Sequence, residues 1–304
     1  MPTLDTLQRT VATVENLQGI VRTMKTLAAV SIRQYEQAVA AVEHYERAVR
    51  LGLTAVLSDK AAPVRLQPTP SSPGKRENVV GMVVFGSDHG LCGRFNEDLA
   101  EHVRAALAEF PAHAHRIMAV GARLAALLEN LDLAPEQTFY TPAAATGIVQ
   151  TLRQMLPALE QWRHTGLERL LLCHQRPRSG MHPVPRSVVL LPLDPATFLS
   201  PQPWPGRSLP GHYGDREALL TTLLREWLFI AFFRACGESL ASEHASRLLA
   251  MQNAERNIEE RLTALHTIYY QQRQEAITTE LLDVIVGFEA LLGLPRQHVT
   301  EKSQ

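Results

Sequence analysis

"LDTLQRTVATVENLQGIVRTMKTLAAVSIRQYEQAVAAVEHYERAVRLGLTAV", Leu4 to Val56, decides the architecture. Alternating steps of three and four from Leu4 land on Leu7, Val11, Val14, Gln18, Val21, Lys25, Ala28, Ile32, Tyr35, Val39, Val42, Glu46, Val49, Leu53 and Val56, nearly all apolar. Between Leu4 and Leu51 the only glycine or proline is Gly19. A spacing of 3.5 held this long is a coiled-coil seam rather than the broader face of a globular helix. At 1.5 Å per residue the helix runs for about 80 Å. No compact domain of this chain length can bury that, so the helix must project and take a partner.

The other end of the chain mirrors it. Neither glycine nor proline interrupts Glu238 to Val286. An apolar seam passes through Leu248, Met251, Ile258, Leu262, Leu265 and Tyr269 and resumes at Ile277, Leu281, Val284 and Phe288, across the polar stretch "YQQRQE", Tyr270 to Glu275. Each long amphipathic helix needs a partner, and the simplest is the other one. The expectation is an antiparallel coiled coil built from the two chain ends, with Val42 and Leu248 within crosslinking reach.

A different texture lies between them. Residues 78–85, 115–121, 168–175 and 187–193 read as strands, and 94–110, 122–130 and 146–162 as helices. Strands alternating with helices predict an α/β domain with a mostly parallel sheet. The expected organisation is an N-terminal helix over 1–57, a linker at 58–77, the α/β domain at 78–195, a proline-rich linker at 196–214, the C-terminal helix over 215–292 and a tail at 293–304. Gly293 and Pro295 both oppose further helix, and the tail is expected to be dispensable.

With 30 basic against 31 acidic residues the chain has no global field to attract nucleic acid, and none is expected as a partner. Three cysteines far apart argue against a disulfide framework and fit a reducing compartment. "MPTLDTLQRT" has no basic and apolar leader pattern. "WLFIAFFRAC", Trp227 to Cys236, is the most apolar segment, far short of the roughly 18 residues of a membrane span. It reads as helix buried on most sides, and membrane association is expected only through a partner.

The loop "FGSDHGLCGRFNEDL", Phe85 to Leu99, stands at a strand-to-helix junction, where α/β sheets often hold phosphate. Its glycines, Gly86, Gly90 and Gly93, match neither the dinucleotide fingerprint nor a phosphate-binding loop, and no lysine follows. Cys92 near a helix N-terminus would have its thiolate favoured, with His89 as a conceivable base. The plainer reading is a small buried residue closing the turn. No histidine or cysteine pair has zinc-ligand spacing, so no metal, cofactor or catalytic residue is assigned. On the last helix Arg273, Gln274, Thr278 and Glu280 interrupt an otherwise oily rod, either as a solvated face or as a grip for a partner.

Three collinear motifs carry a resemblance to the gamma subunit of F-type rotary ATP synthases. The loop resembles that family's "SDRGLCGG-x-N" signature, "TMKTLAAVSIR" (Thr23 to Arg33) its "AMKMVAASKLR", and "YYQQRQEAITTELLDVIVG" its "YN-x-x-RQA-x-IT-x-E" pattern. The chain departs from the family at His89 (arginine there), Arg94 (glycine), Ser31 (lysine) and Glu255-Arg256 (Thr-Asp). The resemblance implies a central shaft inside an alpha–beta hexamer, its α/β domain set against an epsilon subunit and a membrane c-ring. Catalysis would lie in the beta subunits, and the complex on the cytoplasmic face of a bacterial inner membrane. It also implies that Arg273, Gln274 and Thr278 contact a beta subunit, with Met24 and Lys25 opposite on the partner helix. Asp88, His89, Gly90, Leu91, Cys92 and Gly93 would form a structural and docking loop. Two rival readings stay open beside it: a nucleotide- or thiol-dependent α/β enzyme with helical oligomerisation arms, and a static coiled-coil scaffold.

Overall fold

The computed structural model describes residues 3–58, 79–178, 182–193, 198 and 215–292. The expected linkers at 58–77 and 196–214 and the tail at 293–304 fall almost wholly outside the described residues. The elements are α1 (Leu4–Ser58), β1 (Val79–Phe85), α2 (Phe95–Ala108), β2 (Ala114–Val120), α3 (Ala122–Glu129) and β3 (Gln137–Phe139). They continue through a 3-10 turn (Ala145–Gly147), α4 (Ile148–His164), β4 (Leu167–Arg176), β5 (Val184–Leu191) and α5 (Arg216–Leu292). Two compact units result, one of residues 24–251 and one of residues 1–23 with 252–304.

In the larger unit the sheet order is β3-β2-β1-β4-β5. All neighbours are parallel except β4 and β5. The exception follows from length: only residues 177–183 join β4 to β5, too few for the crossover that a parallel pair requires. β3 is a strand that the sequence pattern does not announce, since three residues carry no readable alternation.

Alternation along β1 sorts the two faces of the sheet. Val80, Met82 and Val84 point into a core with Leu99, Val103 and Leu107 of α2 and Leu124 and Leu128 of α3. Val79, Val83 and Phe85 point the other way, toward Ile148, Leu152, Met155 and Trp162 of α4 and toward Phe232, Phe233 and Leu240 of α5. Gly81 lies beneath the Trp162 ring, where an added Cβ would come within 2.8 Å of ring carbon. Within this unit α1 and α5 run antiparallel: Tyr35 stacks on His244, Val39 packs on Gly237, and Glu46 pairs with Arg234 at 3.0 Å. That register corrects one expectation. Val42 lies level with residues N-terminal to Gly237, whereas Leu248 lies beyond His244 in the opposite direction. The apolar segment Trp227–Cys236 is buried or half-buried throughout, as its composition predicts.

The smaller unit pairs the start of α1 with the last part of α5. Arg22 Nε lies 2.9 Å from Glu255 and Arg22 Nη2 lies 3.6 Å from Glu259, while Gln18 donates to Glu259 at 3.5 Å. Leu7 and Leu265 are buried, and Leu4, Val11, Val14, Ile258, Leu262 and Tyr269 are half-buried. Every position of the N-terminal seam from Leu4 to Val56 is buried or half-buried, so the 3.5 spacing marks the inward face.

Candidate partner-contact site

The loop after β1 is held from its inner side. Ser87 N–H donates to Asn96 Oδ1 at 3.1 Å, and Asn96 Nδ2 returns a bond to Ser87 Oγ at 2.7 Å. Ser87 Oγ donates to the carbonyl of His89 at 2.8 Å. Asp88 points across the end of the sheet. Its carboxylate accepts from Ala122 N–H at 2.9 Å, Thr141 N–H at 2.8 Å and Thr141 Oγ1 at 2.6 Å. It thereby caps α3, whose first N–H groups have no partner inside the helix. Gly121, at φ 121, lets the backbones meet: a Cβ there would lie 2.7 Å from Ser87 N and O.

What remains outward is the apex. His89, Gly90, Leu91 and Gly93 are exposed and Cys92 is buried. Leu91 adopts φ 63 and is 60% exposed. A branched apolar residue held left-handed in water is an uncommon arrangement. The Cys92 thiol is pushed up by burial, against the lowering effect of its hydrogen bond to Ser87. It is therefore a closed, protonated group rather than a nucleophile.

In a doubly wound sheet, ligands enter the crevice beyond the carboxyl ends of the strands where the winding reverses. Here that crevice lies at β1 and β4, and α5 fills it. Ser239 Oγ donates to the Phe85 carbonyl at 2.6 Å and Ser242 Oγ to the Gln175 carbonyl at 3.2 Å. Glu238 meets His174 Nε2 at 3.1 Å. Glu238, Ser239, Ser242, Glu243 and Ser246 form one buried stripe at helical spacing. These residues escape a sequence reading because short polar side chains at i and i+4 resemble a helix surface. Among the described residues no group of three or more His, Cys, Asp or Glu side chains could hold a metal. The other two thiols, Cys173 and Cys236, are also buried and pushed up by desolvation, Cys173 to about 12.

Carrying the pairing of Arg22 with Glu255 and Gln18 with Glu259 along both helices sets Leu4 level with Arg273. α1 therefore ends where the polar stretch of α5 lies, and α5 continues to Leu292 without it, about 28 Å at 1.5 Å per residue. Arg273, Gln274 and Thr278 are all exposed. Among the described residues the Arg273 and Gln274 side chains make no hydrogen bond, and Thr278 Oγ1 bonds back to the Gln274 carbonyl at 2.9 Å. Beyond them Ile277, Leu281, Val284 and Phe288 are 48–65% exposed, so the second half of the C-terminal seam has no partner in α1. Met24 and Lys25 are half-buried.

The sequence pattern of the family described as ATP synthase matches residues 3–291. The ATP synthase gamma chain of Chlorobium phaeobacteroides (strain BS1) is 31% identical over 235 residues, covering 75% of this chain and 78% of that one. The gamma chain of Magnetococcus marinus is 31% identical over 225 residues, covering 70% and 73%. A chain in the OSCP/F1/c-ring structure of the Euglena gracilis mitochondrial ATP synthase shares the fold, with a TM-score of 0.62 at 17% identity over 99% of this chain and 98% of that one. This chain belongs to the ATP synthase gamma chain family.

Proposed function

We infer that this chain is the central rotary shaft of an F-type ATP synthase, coupling ion flow through the membrane c-ring to ATP synthesis or hydrolysis in the alpha–beta hexamer. The observation that carries the reading is the end of α5. Among the described residues α5 extends past its partner α1 with an exposed apolar seam, and exposed polar residues stand where α1 stops. Leaving such a seam in water opposes the hydrophobic effect, so a sleeve of other subunits has to cover it.

Arg273, Gln274 and Thr278 contact a beta subunit, and Met24 and Lys25 on the partner helix α1 belong to the same set of contacts. Each polar contact is modest, about 0.5–1.5 kcal/mol, with more for the charged one. A shaft that grips and releases needs bonds of that size. The loop Asp88–Gly93 is a rigid docking element. The chain carries no catalytic residue, and catalysis lies in the beta subunits. Its filled sheet crevice and protonated buried thiols support that division of labour over a nucleotide- or thiol-dependent enzyme. The epsilon subunit and c-ring are the remaining partners. Among the described residues no helix is long and apolar enough to cross a membrane, so the chain reaches the bilayer through the complex. The bacterial relatives support a place on the cytoplasmic face of the inner membrane.

The test is co-purification and turnover. Wild-type chain is expected to co-purify with alpha and beta subunits. The double variant Arg273→Ala/Gln274→Ala is expected to weaken assembly or lower ATP turnover about tenfold. Wild-type assembly and turnover in that variant would reduce both residues to a solvated face.

A further inference from the structure

The apex of the loop after β1 is fastened by one more group, and it comes from α5. Arg247 is an interior residue, its side chain 13% exposed, paired at 2.5 Å with Glu243, which is 7% exposed. Its Nη2 also faces the Gly90 carbonyl at 3.4 Å. Its Nη1 lies 3.3 Å from Nδ1 of His244, whose ring stacks on Tyr35 of α1 at 5.6 Å. Burial and the adjacent Arg247 charge hold His244 down at about 4, so the ring is neutral and Nδ1 can accept. One guanidinium thus faces the loop, α5 and, through His244, α1.

The surrounding charges explain why an arginine is needed. Glu243 feels Arg247 on its own helix and Asp88 and His89 on the loop. Its other neighbours include the Cys92 thiol and the Tyr35 hydroxyl, both of which feel its charge. Burial pushes the Glu243 carboxyl up and Arg247 opposes that. Two carboxylates, Glu243 and Asp88, therefore share this interior, and Arg247 is the cation held against Glu243 there. A planar fork can serve Glu243, His244 and Gly90 at once, which a lysine cannot.

We propose that Arg247 is a positioning residue: its guanidinium, aimed by Glu243 and His244, ties the apex His89–Leu91 to α5, so that loop and coiled coil move as one piece when a partner subunit presses on the loop. The last clause rests on the docking role of the loop. The tie itself does not.

Amide exchange separates the two, measured on the full chain alone and in the alpha–beta–gamma complex. In the free chain Arg247→Met is expected to speed exchange over residues 88–93 at least tenfold and to leave β1 and α2 unchanged, with Arg247→Lys recovering part of the protection. Arg247→Met also strips Glu243 of its counter-charge, which pushes its carboxyl further up, so melting of that variant should fall more steeply with rising pH than that of wild type. The pair Glu243→Gln/Arg247→Met removes that dependence and restores the melting temperature while the loop stays loose. That combination distinguishes a tie from a mere contribution to stability, and it serves where the single variant fails to fold. Wild-type loop protection in the double variant would overturn the proposal. Should the tie hold while assembly adds no protection to residues 88–93, the docking role of the loop fails and the positioning role of Arg247 stands.

Discussion

Arg22 of α1 sits between Glu255 and Glu259, carboxylates one turn apart on α5, at 2.9 and 3.6 Å. The Arg22 and Glu259 side chains are more than half exposed, so the cluster adds little stability. What it specifies is register, as charged flanking positions do in coiled coils. Through that register Arg273 becomes the level at which α1 ends.

The register predicts a crosslink. Val14 and Leu262 are seam positions at matching height, and the variant Val14→Cys/Leu262→Cys is expected to close an intrachain disulfide on mild oxidation. The control Val14→Cys/Ile277→Cys, about 22 Å out of step along α5, should not. Closure of the control with failure of the first pair would overturn the pairing.

Much of this was legible in the residues. A 3.5 period names an inward face without any tertiary knowledge, which is why Leu4 to Val56 reads correctly at every step. Period does not carry register, however. Nothing in the sequence says that Arg22 meets Glu255. The loop motif identifies the family, yet its fastenings are invisible in sequence because Thr141, Asn96 and Arg247 are brought to it by the fold. The serines of 239–246 go unmarked in the sequence for the same reason: a helix face is polar or buried according to what packs on it, and here it is carbonyl groups at strand ends.

Asp88 accepts three hydrogen bonds from two segments distant in sequence. Asp88→Ala should therefore cost about 2–4 kcal/mol, since it strands the N–H of Ala122 and both donors of Thr141. Asp88→Asn, which keeps one acceptor, should cost less. Thermal melting of the full chain reads both, and equal costs would mean that the single amide oxygen replaces nothing of what the carboxylate supplies.

Cys92 is closed in and its thiol is pushed up by burial. Cys92→Ala is expected to leave ATP hydrolysis by the assembled complex within about twofold of wild type, with a stability loss of about 1 kcal/mol from the missing side chain. A loss of several orders of magnitude with assembly intact would restore a thiol-dependent enzyme as the better account.

Leu91 pays for its left-handed backbone by about 1 kcal/mol. Leu91→Gly should relieve that strain and leave the free chain at least as stable by melting. If the side chain docks on a partner subunit, the same variant should co-purify less well with alpha and beta subunits. Assembly equal to wild type would remove Leu91 from the docking surface.

Glu238 gives the sharpest pH prediction. Burial alone would raise its carboxyl, but hydrogen bonds from His174 at 3.1 Å and Arg234 at 2.8 Å outweigh burial and hold it at about 2, against an ordinary 4.5. A carboxyl depressed in the folded state contributes stability that is complete above its unfolded value and fades as pH falls toward its folded one. The contribution should therefore be full above about pH 5 and decline from pH 4.5 toward pH 2. The gap between the two values is worth on the order of 3 kcal/mol, shared between the contacts to Arg234 and His174. Glu238→Gln cannot titrate and cannot offer two acceptor oxygens, so it should melt lower than wild type at pH 7. Its melting temperature should then fall less steeply than wild type between pH 5 and pH 3, and the two curves should converge. Parallel acid slopes in wild type and Glu238→Gln would show that the carboxylate bridging β4 and α5 is not depressed in the folded chain.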